Sequence, residues 1–486
     1  MNAAPNVIIY GAGNVGVLVS SAMAYQAFAN HVVAFVDDAD GKQNRSINGI
    51  PVLTSDSFTN EFVEEKNVDT LVIADTKISP SKKKALISKA MELKLKVKVV
   101  PEVDQWINQD LTAVRLENIK VEELLNREPI VIDDEEIGGR ISAKTILVTG
   151  AAGSIGSELV RQLLMYHPEQ LIVLDQSETP LFDLQFELTN KEPYLYNSQC
   201  VKYVVASITD KRRLKTVFEK YRPDIVFHAA AYKHVPMMED MPYEALCVNV
   251  FGTKNLVDLS MDYGVKNFVM RSTDKAVNPT NVMGASKRMA EIYVQSRNSQ
   301  TTSFVTTRFG NVIGSAGSVV PLFRKQLALG GPLTVTHKDI VRYFMTIREA
   351  ANLVLEASVI GEGNDIFIFD MGDPVKIYDL AKNMIRLSNM ENVEIREVGL
   401  RPGEKLFEEL LNKKENTLPS KHPKIKHAKV RMYEKQWVDE QWNELKVMLD
   451  CADDFSLVAK MKYIVPEFIS NNSEFSTLDT LQNQKV

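Results

Sequence analysis

The chain has 486 residues, 45% hydrophobic and 25% charged, which is the balance of a soluble globular protein with room for two or three domains. A net charge of −6 leaves no electrostatic footprint for nucleic acid. Three cysteines, Cys200, Cys247 and Cys451, lie too far apart for a metal-ligand spacing or a disulfide framework and point to a reducing compartment.

The chain opens without a signal-peptide pattern, Met1 to Pro5 leading straight into a strand-like run, and no apolar stretch is long enough to span a membrane. Val7 to Tyr10 is followed by Gly11-Ala12-Gly13-Asn14-Val15-Gly16, a helix-like segment, and a second strand-like run, Val32 to Val36, ending in Asp37-Asp38. Strand, glycine turn, helix, strand and acid in that order suit a dinucleotide: glycines let the backbone approach phosphate, and the acid can hold a ribose hydroxyl. Further strands are expected at Thr70–Ala74 and Val97–Pro101, with a lysine-rich helix from Ser79 to Lys94 between them. Residues 1–130 therefore read as a Rossmann-like domain with no acid/base constellation, either regulatory or structural.

Glu122 to Gly139 is acidic, contains Pro129 and Gly138-Gly139, and reads as a connector. A second strand, Thr145–Thr149, then runs into Gly150-Ala151-Ala152-Gly153-Ser154-Ile155-Gly156 and a helix to Met165. The next strand ends at Asp175, whose carboxylate would accept from ribose hydroxyls and repel a 2′-phosphate; this favours NAD over NADP. Val201–Val205 leads to Ser207 and Ile208, which would flank the adenine. Asp224–Phe227 leads to His228 and to Ala229, Ala230 and Ala231, small residues that let a flat cofactor lie against the backbone. His228 is expected to be a packed histidine, Asn249 to be structural, and Tyr232 and Lys233 to face the crevice. The strand Phe268–Arg271 delivers Thr273, Asp274 and Lys275 to the sheet edge where ligands bind, and a helix after Asn278-Pro279 adds Lys287. The overall expectation is an α/β protein with two doubly wound parallel sheets and a small C-terminal lobe containing helices at Leu322–Leu329 and Ile347–Glu356. Val438, Trp442, Leu445 and Leu449 recur at helical spacing and read as packing, and the polar stretch from Ser470 reads as disordered.

Several stretches resemble the extended short-chain dehydrogenase/reductase family, and within it the UDP-N-acetylglucosamine 4,6-dehydratases: Val148 to Glu158, His228 to Glu239, Ser272 to Lys287, Arg308 to Gly314, Val341 to Met345 and Arg401 to Lys405. The resemblance implies a catalytic domain over residues 131–412, tightly bound and recycled NAD, UDP-N-acetylglucosamine as substrate, and a likeness to homo-oligomeric enzymes of bacterial capsule, O-antigen or glycan synthesis. It implies Asp274 as the acid for the departing C6 hydroxyl and Lys275 as the base at C5. Lys287 would hold the nicotinamide ribose, and Asn311, Arg342 and Arg401, with Glu404, would surround the diphosphate. The wider family carries a Tyr-x-x-x-Lys pair; here Met283 stands at the tyrosine position, and a thioether cannot take a proton. The C4-hydroxyl base then falls to Thr273, a water held by Lys287, or Asp274. The methionine-bearing group points to retention at C5 and the D-xylo product. Larger members carry transmembrane helices before a domain like the first one, so the expectation is a cytoplasmic protein or the cytoplasmic part of an inner-membrane protein. The alternatives are a nucleotide-sugar 4-epimerase or reductase and a non-catalytic NAD-binding regulator. No metal site is expected, and residues 413–486 read as a helical extension.

Overall fold

In this computed structural model the chain divides into two units: residues 1–128 with 323–333 and 379–395, and residues 129–322 with 334–378 and 396–486. The structure describes residues 6–25, 31–39, 41–43, 45–100, 116–119, 123, 130–191, 198–297, 299–388, 390, 392–409 and 416–482.

The first unit is built on a sheet of β1 (Asn6–Tyr10), β2 (His31–Val36), β3 (Ser46–Ile47), β4 (Ile50–Leu53), β5 (Val68–Ile73), β6 (Lys96–Val99) and β7 (Glu117–Asn118). Their order is β3-β4-β2-β1-β5-β6-β7, with β2 and β5 parallel to β1 on either side. Val7, Ile9, Val19, Phe35 and Val72 form its core. Ser79 caps the lysine-rich helix Pro80–Glu92. Pro101 of the expected β6 strand lies outside the described residues.

The second unit carries β8 (Thr145–Thr149), β9 (Gln170–Asp175), β10 (Val201–Val205), β11 (Ile225–His228), β12 (Asn267–Arg271), β13 (Ser303–Arg308), β14 (Asp365–Phe369), β15 (Asn416–Pro419) and β16 (Ile425–Lys429). The sheet order is β10-β9-β8-β11-β12-β13-β14-β16-β15, parallel from β10 to β14. The chain reverses direction across the sheet between β8 and β11, and ligands of doubly wound folds bind at such a switch point. These strands read as continuous apolar runs because both faces are covered. Phe268 and Met270 enter one core, and Val269 and Val305 the other.

Four expectations change. The second half of the expected connector is a helix, Asp134–Ile141: Asp133 caps it, and Ile137 and Ile141, one turn apart, are fully buried. The helix Ile347–Ile360 is not part of a lobe; Leu353 and Val354 pack in the same core as Leu159 and Leu163 of helix Ser154–Met165. The segment after 412 is not purely helical, since β16 joins the main sheet antiparallel to β14 and β15 pairs antiparallel with β16 at its edge. The tail from Ser470 is ordered through residue 482, where Phe475 is buried and Lys462 binds Asp479 and the Ser470 hydroxyl. The stripe on helix Lys435–Leu449 does pack inward: Val438, Trp442 and Leu445 are buried, and Trp442 lies 5.5 Å from the Tyr293 ring. Among the described residues no helix is long and apolar enough to cross a membrane, and no group of metal-ligating side chains is assembled.

Candidate active site

The glycine turn after β8 lies flat against the end of β11. A methyl group on Gly150 would stand 2.5 Å from Ala230 N, and one on Gly156 would stand 2.1 Å from Gly150 O, so both positions admit only glycine. Helix Ser154–Met165 starts there with no side-chain cap, which leaves its first N–H groups available to phosphate. Asp175 closes the turn, accepting from Ala152 N at 3.0 Å and Ser177 N at 2.9 Å. Ser207 and Ile208 follow β10, but the Ile208 side chain is buried, so that residue offers the crevice only backbone. These features fit a dinucleotide.

The first unit repeats the arrangement. Gly11 has a φ of 104°, and Asp37 accepts from Ala12 N at 2.8 Å. Here the acids are already neutralised: Asp37 pairs with Lys42 at 2.9 Å and Asp38 with Lys82 at 2.6 Å.

In the second unit a cavity of about 380 Å³ opens at the ends of β11 and β12. Ala229, Ala231, Tyr232, Lys233, Thr273, Lys275, Met283, Lys287, Asn311, Arg342, Arg401 and Glu404 all line it, so the sequence-predicted catalytic and substrate residues converge. Asp274 does not reach the wall; it is 1% exposed and lies behind Thr273 and Lys275. Its Oδ1 accepts from Thr273 Oγ1 at 2.9 Å and from Lys275 Nζ at 3.1 Å, while Oδ2 is buried without a hydrogen-bond partner. Gly310 makes room for it, since a methyl group there would sit 3.0 Å from Oδ2. Lys275 also donates to Asn311 Oδ1 at 3.2 Å and faces Glu408 at 3.5 Å. Burial works against its charge, but Asp274 and Glu408 outweigh burial and raise its pKa. Lys287 makes no ion pair among the described residues; burial, aided by the nearby Arg271 and opposed by the field of Glu291, lowers its pKa to about 7.

Helix Val282–Gln295 holds this arrangement. Its cap, Asn281, accepts from Gly284 N at 2.7 Å, and Gly284 lies so close to Lys275 O that an added methyl would meet it at 2.2 Å. Met283 and Lys287, one turn apart, share the face toward the cavity. Beneath the loop, Glu291 accepts from Ser272 Oγ at 2.6 Å, Arg308 at 2.6 and 2.8 Å and Arg288 at 3.0 Å. His228 is the packed histidine expected, bonded to the Thr149 hydroxyl at 2.8 Å and the Thr253 hydroxyl at 3.0 Å. Asn249 is structural, bridging Tyr232 backbone and Ser286.

Two placements depart from the expected roles. Arg342 spends its N–H groups on Val341 O, Leu406 O and Lys405 O and faces Glu404 at 3.5 Å. Asn311 serves Lys275 directly. Sequence reasoning missed Glu408, three residues past the last motif quoted, and Arg271, whose cavity position no local pattern announces.

The glycine turn and the acid-lysine loop stand at the strand ends of a doubly wound α/β fold. The polysaccharide biosynthesis protein family matches residues 146–430, and the chain belongs to that family. It is 40% identical over 458 residues to the probable polysaccharide biosynthesis protein EpsC of Bacillus subtilis, covering 93% of this chain and 74% of EpsC. It is 35% identical over 283 residues to a UDP-N-acetylglucosamine 4,6-dehydratase (inverting) of Campylobacter jejuni, covering 57% of this chain and 80% of that protein. Among solved structures it is similar to Pen from Bacillus thuringiensis, with a TM-score of 0.54 and 31% identity over 62% of this chain and 98% of that one.

Proposed function

We propose that the protein is an NAD-dependent 4,6-dehydratase of UDP-N-acetylglucosamine, serving bacterial surface polysaccharide or glycan synthesis. The observation that carries this reading is Thr273 and Lys275 on the cavity wall with Asp274 directly behind them, one carboxylate oxygen shared by a hydroxyl and an ammonium. The Campylobacter relative supports the substrate class.

A C6 hydroxyl leaves only after C4 becomes a ketone, because the ketone acidifies the C5 proton. NAD, when bound against the glycine turn and Ala229–Ala231, supplies the acceptor for the C4 hydride and its return to C6. The C4 hydroxyl proton goes to Lys287 through a bound water; with a pKa near 7, Lys287 is partly neutral at neutral pH. Met283 offers no proton acceptor and shapes the wall. Within the Asp274–Lys275 pair, moving one proton across the 3.1 Å contact turns the ion pair into a neutral amine and a carboxylic acid. Lys275 then takes the C5 proton, and Asp274 protonates the leaving hydroxyl across Thr273 Oγ1, so water departs and the ion pair is restored. Lys275 returns its proton to C5 as C6 is reduced and is left neutral; the C4 proton held by Lys287 then passes through solvent to Lys275, which restores the Asp274–Lys275 ion pair and the neutral Lys287. Retention at C5 rests on the Met283 resemblance, although the Campylobacter relative is named for inversion.

The test is mass spectrometry of UDP-N-acetylglucosamine incubated with the purified protein and no added cofactor. The expected product lacks one water; an unchanged substrate, even with NAD supplied, contradicts the reading, and a product of unchanged mass with an altered C4 favours an epimerase.

A further inference from the structure

Arg271 is the last residue of β12 and lines the cavity. Its guanidinium lies over the Phe309 ring, 5.2 Å from the centroid, and Phe309 stacks in turn on Phe369 at 5.3 Å with the rings 3° from parallel. Its Nε is buried without a hydrogen-bond partner, and among the described residues no group accepts from the guanidinium or pairs with it. An arginine in that position costs stability until an anion answers it. Every other arginine near the site is answered: Arg308 and Arg288 by Glu291, and Arg342 by backbone carbonyls.

The position indicates which anion. Phe309, on which Arg271 rests, shares a core with Ala151 and Ile155 of the glycine turn, on the side of the sheet covered by helix Ser154–Met165. Lys233, close enough to Arg271 for its pKa to be lowered to about 8 by burial and by that charge, donates to Ala316 O at 2.7 Å. Ala316 N donates in turn to Ser154 Oγ, in the first turn of the phosphate-facing helix, at 2.9 Å. Lys233 and the Ala316–Ser154 contact thus connect the Arg271 end of the cavity with the phosphate-facing helix. Arg401, another arginine of the cavity wall, pairs with Glu404 at 3.3 Å.

We infer that Arg271 is a binding residue for the diphosphate of the dinucleotide, adding a planar fork to the helix N-terminus and the glycine turn. The inference rests on the NAD reading above. The fork suits phosphate oxygens because it donates two parallel N–H bonds, and stacking on Phe309 holds its plane before the ligand arrives. Burial lowers the Arg271 pKa to about 10, with the field of Asp274 opposing, so the group stays charged at neutral pH.

The experiment compares wild type, Arg271→Met and Arg271→Lys, each stripped of cofactor, by calorimetric titration with NAD and with UDP and by thermal melting. Methionine keeps the stacking on Phe309 and removes the charge. The expected result is NAD binding about ten- to a hundredfold weaker in Arg271→Met, intermediate in Arg271→Lys, and UDP binding unchanged. The stripped Arg271→Met protein is expected to melt no lower than stripped wild type, because an unanswered cation has gone, while its NAD-induced gain shrinks. Equal NAD affinity in all three proteins, or a loss confined to UDP, overturns the assignment. Wild type that neither binds NAD nor gains stability from it overturns the cofactor reading as well.

Discussion

Lys275 stands between two carboxylates and is held charged by them, whereas burial, with Arg271 beside it, lowers the pKa of Lys287 to about 7 against the opposing field of Glu291. Two lysines on one cavity wall are thereby pushed toward opposite protonation states, which is the separation an enzyme needs when one holds a proton in reserve and the other accepts one. If Asp274 is the acid and Lys275 the base, their variants stall at different points. Asp274→Asn is expected to lose about a hundred- to ten-thousandfold in turnover yet still exchange the C5 proton with deuterated solvent, followed by mass spectrometry; Lys275→Met is expected to lose both. Thr273→Val, which cuts the hydroxyl path from Asp274, is expected to fall about a hundredfold, while Met283→Leu stays within a few-fold, because the thioether moves no proton. The pH profile carries a sign. Lys287 accepts a proton only when neutral, so turnover is expected to rise with pH through about 7 and to fall about tenfold per unit below it. A flat profile there would remove Lys287 from the C4 step.

Helix Val282–Gln295 and the strand exits around it depend on one buried carboxylate. Glu291 is fully buried; burial alone would raise its pKa, but Arg308 and then Arg288 outweigh that and bring it to about 2. Glu291→Gln is expected to destabilise the protein by about 3–5 kcal/mol in denaturant titration, since it removes the buried negative charge that answers both Arg308 and Arg288. Because the folded pKa lies below the ordinary value of 4.5, this stabilisation is present above pH 4.5 and is lost as pH falls toward 2. The strands, both glycine turns and the Thr273–Lys287 stretch were legible in the sequence, because each is a local pattern of a few adjacent residues. Glu291 with Arg308, Glu408 with Lys275, and Arg271 on Phe309 were not, since each joins residues distant in sequence or depends on where a strand ends. The tail from Ser470 misled for a related reason. Its composition is polar, but Lys462, buried on another helix, is answered by Asp479, and Phe475 fills the core.

At the scale of the whole molecule, two units share the strand, glycine turn, helix and acid pattern, yet only the second leaves its acid without a lysine partner. Asp37 and Asp38 are bound by Lys42 and Lys82, whereas among the described residues Asp175 takes only backbone N–H groups. Cofactor analysis of the purified, denatured protein is therefore expected to give one NAD per chain; two per chain would mean that the first unit opens its own ion pairs for a dinucleotide. The first unit is proposed to be regulatory or structural. The central claim is most directly tested by proton NMR of UDP-N-acetylglucosamine with the purified protein in deuterated water and no added cofactor. A new C6 methyl signal, deuterium at C5, a hydrated C4 ketone and couplings of the D-xylo configuration are the predicted result. An unchanged spectrum with NAD supplied, or a C4 epimer without a methyl signal, would contradict it.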